Sequence, residues 1–109
     1  MDELQQKIVD YVEANGKTYQ QIALEIHEKP EVSNYEFFAS KRLADQIKSV
    51  GFEVEMPAAG HRTGFAASYK SGKPGPVMVF LAEYDALWDL DMAVDITCLV
   101  QLLLWRLRR

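Results

Sequence analysis

Residues 76–87 read PVMVFLAEYDAL, an unbroken apolar run that ends in a cluster of acid and tyrosine. Residues 77–82 carry no charge and are rich in β-branched and aromatic types, the pattern of a short strand covered on both faces. Such a strand belongs in the middle of a sheet. Glu83, Tyr84 and Asp85 then stand where the strand leaves the core. In sheets flanked by helices, the carboxyl ends of strands are where polar groups gather to meet a ligand.

The rest of the chain frames this run. Its 109 residues make one domain at most, and 49% hydrophobic with 26% charged residues is ordinary for a globular protein, so disorder is not expected. A net charge of −4 and the absence of a basic, aromatic-interleaved stretch give no reason to expect nucleic acid as a partner. The first sixteen residues, MDELQQKIVDYVEANG, are acidic and amphipathic where a secretory signal is basic and then apolar, so a cytoplasmic protein is expected. Cys98 has no second cysteine for an internal disulfide, and the apolar stretch 96–104 is too short to span a bilayer, so no transmembrane segment is expected.

Residues 3–27 place Leu4, Ile8, Val12, Tyr19, Ile22, Ala23 and Ile26 at helical spacing. Asn15 and Gly16 either split this helix or are tolerated, the glycine at about 1 kcal/mol. Pro30 ends it. Ser33 and Glu36 have the spacing of a capping box opening a second helix, with Tyr35, Ala39, Leu43, Ile47 and Val50 as its buried stripe and Gly51 as its left-handed terminator. Residues 52–56, FEVEM, alternate as a strand with one wet face, residues 57–63 form a loop, and residues 64–70 make a second strand. SGKPG at 71–75 is turn chemistry leading into the central strand. The expected order is helix, helix, strand, strand, strand.

Few residues invite chemistry. His27 beside Glu28 lacks a second histidine four residues on, so it is read as a helix-end histidine; His61, next to Arg62, is read as a solvated loop residue. Gly72, Lys73 and Gly75 lack the spacing of a phosphate loop, and Cys98 in an apolar run is a small buried hydrophobe. Glu83 and Asp85 occupy alternate positions of a strand end and point to one side. On the residues alone they suit a ligand-facing site and the cap of a following helix equally.

HEKPEVSNYE at 27–36, KRLADQIKSVGFEVE at 41–55, the pair Thr63 and Gly64, and AEYDAL at 82–87 together resemble the amino-terminal part of metallopeptidase family 20. The branch is that of the amidohydrolases, with aminoacylases and p-aminobenzoyl-glutamate hydrolases. The resemblance covers residues 1–87 and implies an α/β fold: an incomplete metallopeptidase catalytic domain with two amino-terminal helices, three strands of a mixed sheet and a carboxy-terminal helical tail. It implies a pair of zinc or manganese ions activating a water against an amide of an N-acyl or N-aroyl amino acid or small peptide, with a glutamate as general base. Asp85 would be the carboxylate that orients a metal ligand. The ligands themselves follow in the family, beginning with a glycine-rich HxCGH(N/D) segment.

Residues 88–109, WDLDMAVDITCLVQLLLWRLRR, contain none of that pattern, and no histidine follows His61. DMAVDITC at 91–98 is nevertheless compatible with the codons GAC ATG GCT GTG GAC ATA ACA TGC. Entered at the last base of the first codon, that string encodes His-Gly-Cys-Gly-His-Asn-Met, and the same displaced frame through 99–107 permits a run of small residues. Residues 88–109 are therefore expected to be an out-of-frame tail able to form an amphipathic helix, following a one-base insertion or deletion near codons 87 and 88. The chain is expected to bind no cofactor or metal and to be an inactive fragment. Rival expectations are a reduced hydrolytic site built from Glu83, Asp85 and His61, or an interaction module for an intact paralogue or a separately encoded remainder. Its uncovered apolar strand is expected to self-associate. The gene sequence across codons 87–98 tests the displaced frame: codons that spell the histidine motif one base out of step are the expected result, and codons that cannot do so contradict it.

Overall fold

A computed structural model describes residues 1–87. Helix α1 spans Glu3–Glu28, α2 spans Phe37–Ser49, and strands β1, Glu53–Glu55, and β2, Ala66–Ser68, form a two-stranded antiparallel sheet. The described residues are thus a small mixed α/β unit.

Helix α1 is continuous through Asn15 and Gly16. A β-carbon at Gly16 would meet nothing within 4 Å, so the glycine marks neither a break nor a close approach. Its start carries a capping box that the periodicity did not reveal: Asp2 accepts from the Gln5 amide at 2.8 Å, and the Gln5 side chain accepts from the Asp2 amide at 3.0 Å. Only the carboxyl half of α1 is deeply buried, at Ile22 and Ala23, and α2, which packs on α1, buries Ala39, Ser40 and Ala44. Complete burial of Ile22 is worth about 2 kcal/mol. Arg42 ties the crossing by donating to Glu25 at 2.7 Å, and this hydrogen bond holds the Glu25 carboxyl below its ordinary value.

The start of α2 differs from the expected capping box. Residues 32–35 form a turn, closed by the Tyr35 amide donating to the Val32 carbonyl at 2.9 Å and by Asn34 in the left-handed region at φ 68°. Ser33 is spent in that turn, and the helix opens three residues later than a Ser33 cap requires. Glu31 takes over the capping role from outside the helix: its two carboxylate oxygens accept from the amides of Phe38 at 3.0 Å and Ala39 at 2.8 Å. Within the expected stripe Ala39 is buried and Leu43 and Ile47 are half-buried, but Tyr35 and Val50 are exposed. The late helix start moves Tyr35 off the helix altogether.

The other end matches expectation. Gly51 has φ 97°; its amide donates to Lys48 at 3.1 Å, and that of Phe52 donates to Ile47 at 3.3 Å, the paired bonds of a Schellman terminus. This turn throws the chain straight into β1. Glu53, Val54 and Glu55 then face Ser68, Ala67 and Ala66 in antiparallel register. Only Val54 and Ala67 turn inward, as the alternation of FEVEM requires.

The third strand is not formed. Residues 77–82 carry no strand pairing, and Val77, Val79 and Leu81 are exposed. A wholly apolar strand needs cover on both faces, and the described residues offer two helices already packed on each other and two strands of three residues each. The sheet is therefore antiparallel and not mixed. The expected helical tail, 88–109, lies outside the described residues.

Candidate functional site

Three of the motifs singled out in the sequence meet at one place, around Thr63. The loop before it turns tightly: Ala59 and Gly60 both have positive φ, 50° and 77°, and the His61 amide donates back to Ala58 at 2.9 Å. That hairpin delivers Thr63 to the interior, where only 3% of its surface is exposed. Its hydroxyl donates to a carboxylate oxygen of Glu36 at 2.7 Å, and Glu36 is itself buried. The carboxylate expected to close a capping box is thus turned away from the helix backbone and onto the hairpin.

The 82–87 segment joins from the other side. The Tyr84 hydroxyl donates to the carbonyl of Thr63, and its ring stacks on Phe65 with centroids 6.0 Å apart. Burial, and after it the negative charge of Glu36, push the Tyr84 phenol above its ordinary value. Two residues on, the Ala86 amide donates to the Glu31 carbonyl at 2.7 Å, within a parallel bridge between Val32 and Ala86. Ala86 is buried.

Asp85 lies between these two fastenings. Tyr84 is held through its side chain and Ala86 through its backbone, while the Asp85 side chain is exposed and makes no hydrogen bond or ion pair among the described residues. The backbone of Asp85 is thus held on both sides while its carboxylate faces solvent. Glu83 is also exposed. His27 sits half-buried in the last turn of α1, and His61 is exposed on the hairpin.

These groups do not make a metal centre. Among the described residues no three of histidine, cysteine, aspartate and glutamate come together in a way that could hold an ion. Zinc asks for four ligands in tetrahedral array, or three and a water, and Asp85 with Glu83 supplies at most two carboxylates. The reduced site of Glu83, Asp85 and His61 is therefore not assembled as a metal centre. Cys98 lies outside the described residues.

Sequence reasoning missed the buried Glu36–Thr63 pair because its partners are 27 positions apart and each has an ordinary local role. It also missed a surface cluster in which the Arg62 guanidinium lies 5.4 Å from the Phe37 ring centroid and 6.0 Å from that of Tyr35.

Thr63→Val keeps the shape but leaves the buried Glu36 carboxylate without its donor, so a loss of about 1–3 kcal/mol in urea unfolding is expected, with Thr63→Ser losing much less. The raised phenol adds a pH signature. Stability contributed by Tyr84 is intact below about pH 10 and is lost as pH rises through the higher folded value, so Tyr84→Phe should flatten the alkaline limb of a melting-temperature profile. A Thr63→Val protein as stable as the parent would contradict this arrangement.

No family model matches the chain. It is 38% identical over 91 residues to one of the subunits of p-aminobenzoyl-glutamate hydrolase from Escherichia coli (strain K12), a span of 84% of this chain and 18% of that protein. It is 37% identical over 67 residues to thermostable carboxypeptidases 2 and 1 of Saccharolobus solfataricus, 62% of this chain and 17% of each of them. The chain thus spans less than a fifth of the length of these relatives. Over this partial region, the sequence belongs with the amidohydrolase branch of metallopeptidase family 20.

Proposed function

We propose that residues 1–87 are the amino-terminal scaffold of a metal-dependent amidohydrolase catalytic domain, and that the 109-residue chain does not itself hydrolyse amides. The observation that carries this is the double fastening around Asp85. The Glu36–Thr63–Tyr84 hydrogen bonds and the Val32–Ala86 bridge hold the backbone on both sides of one exposed carboxylate, which supports a scaffold role for this segment.

Two relatives named as a hydrolase of p-aminobenzoyl-glutamate and as a carboxypeptidase support hydrolysis of the amide bond of an N-acyl or N-aroyl amino acid, or of a small peptide, as the activity of the complete domain. There zinc or manganese would supply the activated water, and Asp85 would orient a ligand. Residues 88–109 contain no histidine, and their compatibility with a displaced frame that spells the histidine motif supports an out-of-frame tail in place of the ligand segment. A second reading has the scaffold as a non-catalytic module that pairs with an intact paralogue or a separately encoded remainder. The Escherichia coli relative is named as one subunit of its hydrolase, which supports this second reading.

Metal content and turnover test the first reading. After incubation with zinc or manganese and dialysis, the purified chain should retain far less than one ion per molecule and leave p-aminobenzoyl-glutamate and N-acyl amino acids uncleaved. Stoichiometric metal together with turnover on the order of 1 s⁻¹ or faster would contradict it.

A further inference from the structure

We draw no further inference here: the strongest candidate, the surface cluster in which the Arg62 guanidinium lies over the Tyr35 and Phe37 rings beside the start of α2, already engages its cation with both rings, and nothing in the structure shows what would bind to it.

Discussion

Glu31 does two jobs that hold the described part of this protein together. Its carboxylate accepts from two amides at the start of α2, and its backbone carbonyl accepts from Ala86, 55 positions further along the chain. One residue therefore couples the helix start to the segment that carries Asp85. Both carboxylate bonds are charge-assisted, and the helix dipole favours a negative charge at that end. Because Glu31 does the capping, Glu36 is free to turn inward to Thr63, and Thr63 in turn offers its carbonyl to Tyr84. Remove the first contact and the others lose the helix end that places them.

This chain of dependence explains what could be seen in the sequence and what could not. The two helices, the Gly51 terminator and two strands, at 53–55 and 66–68 within the expected 52–56 and 64–70, are written in local periodicity and turn chemistry. The spacing of Ser33 to Glu36 is a local signal, and it points to the wrong cap. The actual acceptor, Glu31, reaches past an intervening turn, which no short-range pattern encodes. The alternation that hides a one-sided strand was legible; the wholly apolar run at 77–82 was legible as a strand needing cover, but not where that cover would come from.

The candidate site has the same division. AEYDAL stands out by composition, and the structure gives its parts separate uses: Tyr84 and Ala86 fasten inward, and Asp85 remains outward. Thr63 and Glu36, far apart in sequence, became visible only through their hydrogen bond. The similarity to hydrolases covers a partial region of those relatives, and the groups gathered around Thr63 among the described residues hold the 82–87 segment in place.

The most direct test of this dependence is a comparison of Glu31→Ala with Ser33→Ala by urea unfolding and amide hydrogen exchange. Loss of two charge-assisted bonds should cost about 1–3 kcal/mol and speed exchange at Phe38, Ala39 and Ala86 together, while Ser33→Ala stays within about 0.5 kcal/mol of the parent. If Glu31→Ala is silent, or if Ser33→Ala carries the loss, Glu31 does not organise this structure.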